Sequence, residues 1–227
     1  PEPSRIGATG IYHPDAPGSF ASLEAYLAWG KDRWAAGAPR LAYVIHSGLI
    51  SGMETRTIDA FIRHADTVKM ANYTLLTSIL GRDPKTDATY KSPLFYTFKL
   101  FSTRARGIAL SPTVVCDTFR TSDHYSKIPY LDVSAVYDEK AGQVVINVVN
   151  RHKDEAIATD IRSIVGTFAP TATVSLVAND DISDAPYTYE ARDTYAPKVE
   201  QIATQGAALR YSFPAHSFTQ IVVGVAR

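Results

Sequence analysis

The chain has 227 residues, 45% hydrophobic and 20% charged, an ordinary globular composition for one large domain or two modest ones. Its 23 Lys+Arg balance 23 Asp+Glu, so no global polyanion-binding surface is indicated and nucleic acid is not an expected partner. A complete eight-unit α/β barrel takes about 250 residues, so a barrel with an appended domain does not fit. Cys116 is the only cysteine. That excludes an internal disulfide and a Cys-rich metal site, and it favours a reducing compartment, cytoplasmic over secreted. No apolar run reaches the ~18 residues of a membrane span, so no membrane partner is expected. The opening Pro1-Glu2-Pro3-Ser4 has neither Met nor a signal-peptide core and reads as a processed or trimmed end.

Residues 1–110 mix helical periods with short apolar runs. Arg5–Thr9 is a short strand candidate, and Tyr12–Gly18 reads as loop. Ser22 is placed to cap a helix whose Leu23, Tyr26, Leu27, Gly30 and Trp34 share one face. A second helix spans Thr55–Ala65, with Ile58, Phe61 and Ile62 on one stripe. Val68–Leu80 is largely apolar and starts as a parallel strand covered on both faces. Gly81–Lys91 reads as a polar loop. Pro93 suits the first turn of a helix that ends near Gly107.

Residues 111–227 are dominated by alternating, β-branched segments. Strands are expected at Thr113–Asp117, Leu131–Tyr137, Gln143–Asn150, Ala156–Ile161, Ala172–Ala178, Ala208–Phe213 and Phe218–Val225. Asp138–Gly142 joins two of them as a hairpin, with Leu131, Val133 and Ala135 facing the same way as Val144, Ile146 and Val148. Asn179–Pro186 and Tyr195–Thr204 read as irregular loops. The expected architecture is α/β plus all-β: an α/β region over 1–110, then an antiparallel β-sandwich over 111–227. Two strands and their helices cannot cover both faces of the 68–73 strand. The first region therefore either completes a larger sheet or barrel with another segment or chain, or forms a small α/β layer on the sandwich.

No GxGxxG, GxxxxGK, HExxH or GxSxG motif occurs. The six histidines have no convincing metal-ligand spacing, so no metal is expected. Glu24 reads first as an exposed acid in the first turn of a helix, although it sits beside aromatics as a glycosidase carboxylate does. Glu54 and Asp59 read as capping acids of the second helix. Arg63, His64, Asp66 and Lys69 form a polar group where helix meets strand, in which Asp66 either bridges to Arg63 or caps local N–H groups. Asn72 and Tyr73 end the 68–73 strand, where a barrel places its active-site residues, and Asn72 suits either a hydroxyl-rich ligand or the backbone of the following loop. Asn150 and Arg151 close a strand and read as turn-capping. Tyr12, Tyr26, Trp29 and Trp34 offer rings that either stack on sugars or pack helices.

The run Ile58–Tyr73, and above all Arg63-His64-Ala65-Asp66-Thr67-Val68-Lys69-Met70-Ala71-Asn72, resembles the late-barrel segment of glycoside hydrolase family 51, the α-L-arabinofuranosidases. Pro93–Ser102, Pro129–Ala135, Val148–Arg151 and Ser217–Val223 extend the likeness. The resemblance implies the closing part of a (β/α)8 TIM barrel followed by a C-terminal β-sandwich. On that register residues 5–10 correspond to the seventh barrel strand, 55–65 to the seventh helix, 67–73 to the eighth strand and 93–106 to the final helix. A partner chain or segment would supply the first six units together with the general acid/base, and the complete unit could form a homo-oligomer. The implied substrate is a carbohydrate bound by Asn72, Tyr73, Tyr12 and Trp29, with no cofactor. The resemblance implies a catalytic nucleophile, a Glu ending the seventh strand, where this sequence has Gly10; the nearest Glu downstream is Glu24, on a shifted register. Leu75 stands where the family usually has a sugar-binding Gln. These two departures keep a noncatalytic carbohydrate- or protein-binding paralogue open.

Overall fold

The computed structural model describes residues 10–12, 25, 28–29, 31, 43–45, 58–66, 68, 79–120, 127–180 and 188–226. The chain divides into two compact units, Pro1–Ile50 and Ser51–Arg227. Residues 58–110 therefore share a unit with the expected sandwich segment.

In the first unit β1 (Gly10–Tyr12) pairs antiparallel with β2 (Tyr43–Ile45), a ladder the sequence reading does not include. Ala25, Ala28, Trp29 and Lys31 are helical, on the stretch predicted to be a helix. The Arg5–Thr9 strand candidate lies outside the described residues.

The second unit opens with helix α1, described over 58–63. A hairpin follows, β3 (Leu80–Arg82) and β4 (Thr89–Lys91). This corrects the polar-loop reading of 81–91. The strands have three residues each, too few to show alternation, and the polar stretch between them is the turn. Asp83 makes that turn: its carboxylate accepts from the amides of Lys85 at 3.2 Å and Thr86 at 3.1 Å.

Helix α2 (Pro93–Arg104) has Pro93 in its first turn, and the Ser92 hydroxyl accepts from Phe95 N at 3.2 Å. At its far end the guanidinium Nε of Arg106 donates to the Ser102 carbonyl at 2.8 Å. Gly107 then turns the chain into β5 (Ile108–Leu110) at φ 129°. A Cβ there would lie 2.2 Å from the Tyr137 carbonyl oxygen. Gly107→Ala is expected to cost about 1–3 kcal/mol, through backbone strain and loss of that close approach, read as a lower thermal midpoint.

Short β6 (Thr118–Phe119) and β7 (Ile128–Pro129) pair with each other. The predicted strand at Thr113–Asp117 is corrected: 113–117 is not strand, and β5 and β6 flank it. Its Thr-Val-Val run has strand propensity, but Val114 and Val115 are solvent-exposed and bury nothing against a sheet.

The remaining strands are β8 (Leu131–Asp138), β9 (Gln143–Asn150), β10 (Ile157–Arg162), β11 (Thr167–Val177), β12 (Lys198–Ala203), β13 (Ala208–Phe213) and β14 (Ser217–Ala226). β12 corrects the loop reading of 195–204. It is an edge strand whose residues are exposed apart from half-buried Ile202, so it carries little hydrophobic signal. Six strands form one antiparallel sheet in the order β12-β11-β14-β9-β8-β5, and β10 pairs with β13 as a ribbon. Pro170, which cannot donate to a ladder, falls in the irregularity between Phe168 and Ala172 where β11 slips against β14.

The two faces of the large sheet bury different things. One face sets Leu131, Ile146, Val148, Val174, Ile221 and Val223 against Leu209 and Phe213 of the ribbon, which is the sandwich core. The other face lies under the helices: Val149, Phe218 and Val177 meet Tyr96, Leu100 and Phe101 of α2, with Ile58 and Ile62 of α1 beside them. The Phe101 and Phe218 rings are 5.1 Å apart. The hairpin facing predicted for β8 and β9 is the observed register, Val133 opposite Val148 and Ala135 opposite Ile146. The unit is thus an antiparallel sandwich with helices on its outer face.

Candidate functional site

The densest polar constellation among the described residues lies between the helices and the sheet. Ser134, Asn147, Gln220 and Ser175 are opposite one another in register across β8, β9, β14 and β11. All four are at most 1% exposed. They form a polar row between apolar rows, and α1 and α2 close over it.

The row is joined by directed hydrogen bonds. The Gln220 amide nitrogen donates to the Leu100 carbonyl of α2 at 3.1 Å and to Asn147 Oδ1 at 2.9 Å. Asn147 Nδ2 donates to the Ser134 hydroxyl at 3.1 Å. Ser134 in turn donates to Asp59 Oδ1 of α1 at 2.5 Å. One chain of bonds therefore ties both helices to three strands. Such a network admits one register, because a slip would strand several buried polar groups.

Asp59 corrects the capping reading. It is fully buried and points across the interface rather than at its own helix N-terminus. Burial pushes its carboxyl well above the ordinary aspartate range; the Asp132 charge adds to this, while the Ser134 hydrogen bond and the Arg63 and Arg151 charges oppose it.

Beside the row is a charge cluster. Asp132 Oδ1 accepts from Arg63 Nη1 at 2.8 Å, and its other oxygen is paired with Arg151. Arg63 also donates to the Val133 carbonyl at 3.1 Å, and Arg151 to that of Pro129 at 3.0 Å. Arg63 is paired with Asp132 of β8; a bridge from Asp66 is one of two roles open in the sequence, beside capping local N–H groups. Asn150 does cap the strand end: its amide nitrogen lies 2.9–3.0 Å from the Glu155, Phe213 and Pro214 carbonyls, and its Oδ1 accepts from His152 N.

This constellation is not laid out for hydrolysis. Retaining glycosidases set two carboxylates about 5–5.5 Å apart around an accessible sugar. Here Asp59 is sealed from solvent and Asp132 is held by two guanidinium groups. Its chemistry is that of a joint.

The residues singled out for sugar chemistry fall elsewhere. Glu24, Asn72 and Tyr73 lie outside the described residues. Gly10 opens β1 opposite Ile45, and Tyr12 ends β1 opposite Tyr43. Trp29 is helical and half-buried. No group of three or more His, Cys, Asp or Glu is placed to hold a metal among the described residues, and no described helix is long and apolar enough to cross a membrane.

Sequence reasoning missed the polar row. Its signal is an interruption of the strand pattern: Asn147 and Gln220 each stand between apolar residues on one face of a strand, and Ser134 stands between Asp132 and Val136 on the matching face of β8. Only the cross-strand register shows that the three residues coincide.

The α-L-arabinofuranosidase C-terminal domain family matches residues 31–217. An intracellular exo-α-(1→5)-L-arabinofuranosidase of Halalkalibacterium halodurans is 30% identical over 139 residues, covering 59% of this chain and 27% of that protein. One from Bifidobacterium longum is 24% identical over 178 residues, covering 73% and 30%. The chain thus spans under a third of the length of these relatives. Among solved structures, a family 51 α-L-arabinofuranosidase from Bifidobacterium longum shares the fold with a TM-score of 0.62 at 22% identity, covering 78% of this chain and 34% of that one. The α-L-arabinofuranosidase of Thermotoga maritima, in an arabinose complex, does so with a TM-score of 0.63 at 19% identity, covering 75% and 37%. Matched over most of its length, the chain belongs to the α-L-arabinofuranosidase C-terminal domain family.

Proposed function

We propose that this chain is the closing part of a retaining glycoside hydrolase that removes terminal α-L-arabinofuranosyl groups. The observation that carries the reading is the family match over residues 31–217, in a chain that covers only 27% of its Halalkalibacterium relative. In the complete unit one carboxyl protonates the glycosidic oxygen. A second attacks the anomeric carbon, and water later hydrolyses the glycosyl-enzyme with the first residue acting as base. The acid/base comes from the chain or segment that supplies the first six barrel units. This chain contributes the last strand ends, with Asn72, Tyr73, Tyr12 and Trp29 on the sugar and Glu24 as its nearest candidate nucleophile. Its sandwich braces the barrel. The chemistry calls for no metal or organic cofactor, and the complete unit is open to homo-oligomerisation.

The isolated 227-residue chain is expected to show no hydrolysis of an aryl α-L-arabinofuranoside above buffer, and its co-expression with a six-unit partner segment is expected to restore turnover. Activity from the isolated chain would overturn the divided-barrel reading. A second reading is favoured by one residue: Gly10 has no carboxylate at the expected nucleophile position. A noncatalytic carbohydrate-binding paralogue would bind arabinofuranosides in the reconstituted unit without turning them over.

A further inference from the structure

Asp59 has a role that family chemistry does not require. Its side chain is fully buried between α1 and the sheet. Oδ1 accepts a single hydrogen bond, from Ser134, and Oδ2 has no partner among the described residues. Every link of the polar row donates toward it: Gln220 to Asn147, Asn147 to Ser134, Ser134 to Asp59. The charged groups acting on it are Arg63 from its own helix, Asp132 from β8 and Arg151 just past β9. Both guanidinium groups are directed at Asp132, which leaves Asp59 with no ion-pair partner among the described residues. From β9 and β14 it is approached through neutral Asn147 and Gln220, and α2 contributes the Leu100 carbonyl to the same row. A carboxylate so enclosed leaves a buried charge unpaired, whereas a carboxylic acid leaves only one neutral O–H without an acceptor, which costs less.

We propose that the Asp59 side chain, sealed at the junction of α1 with β8 and β9, is a proton-operated latch: protonated, it lets α1 dock on the sheet, and loss of the proton loosens the helix. The carboxyl of the docked state titrates well above the ordinary value, through burial first. An unfolded aspartate titrates near ~3.9. The stabilising contribution is therefore complete below that value, and it is lost as pH rises toward and through the folded-state value.

The test uses the 227-residue chain and needs no hydrolysis, so its failure is separate from failure of the glycosidase reading. Hydrogen exchange of amides 58–66, corrected for intrinsic rates, is followed from about pH 5 to about pH 9 in the wild type and in Asp59→Asn. The opening constant of the wild type is expected to rise relative to the variant by up to about tenfold per pH unit until the folded-state carboxyl has titrated. Parallel profiles would overturn the latch. Carbon-13 NMR of the wild-type Asp59 carboxyl keeps the test sharp should the variant fold poorly. Its resonance is expected to keep the protonated shift at about pH 5, where ordinary aspartates have ionised; an ionised shift there would overturn the proposal.

Discussion

Asp132→Asn is expected to destabilise the Ser51–Arg227 unit by about 3–5 kcal/mol, the range found when one member of a buried ion pair is removed. Asp132 is 8% exposed and holds Arg63 on one oxygen and Arg151 on the other. Arg151 is only 12% exposed, so the substitution leaves a nearly buried guanidinium without its counter-charge. Arg63 is 33% exposed and can turn to water, so Arg63→Ala should cost much less, about 1 kcal/mol or below. The two variants separate a buried charge from a solvated one within one cluster. Urea unfolding checks this through the midpoint, with the slope unchanged. Equal losses for Asp132→Asn and Arg63→Ala would mean that the cluster works as an exposed network.

Phe213→Ala should cost a similar 3–5 kcal/mol by a different route. The side chain is 1% exposed in the sandwich core, with its ring 5.1 Å from that of Tyr211. It belongs to the cluster that joins the β10–β13 ribbon to the six-stranded sheet. Truncation removes its apolar burial and leaves a cavity that two sheets cannot easily close. Ile164→Ser is the control. Ile164 is 99% exposed, and its replacement should stay within about 0.5 kcal/mol. A small Phe213→Ala effect would mean that the ribbon contributes little to holding the sandwich together.

Strands buried on one or both faces were legible because side-chain alternation is a local property. Gln143–Asn150 was read to the residue, Leu131–Tyr137 ended one residue early, and Phe218–Val225 began one residue late and ended one early. α2 was legible from Pro93 and its apolar spacing. The short strands of 80–91 and the exposed edge strand Lys198–Ala203 were not, since they bury too little to mark the sequence. Val114-Val115 misled in the opposite direction, with strand propensity but no sheet to pair with in the described structure.

By itself the sequence determined the family likeness, a mixed helical region ahead of a strand-rich one, and the core-facing residues of β8 and β9. These follow from local patterning at periods of two and 3.6 residues. Only the tertiary structure decided what Asp59 and Arg63 are for. Their partners, Ser134 and Asp132, lie 75 and 69 residues away. An acid near a helix start looks like a cap until strand register sets Ser134 beside Asn147 and Asn147 beside Gln220, and the helix is laid over that row. The pairing of buried polar groups depends on which strands become neighbours, and no local pattern records that.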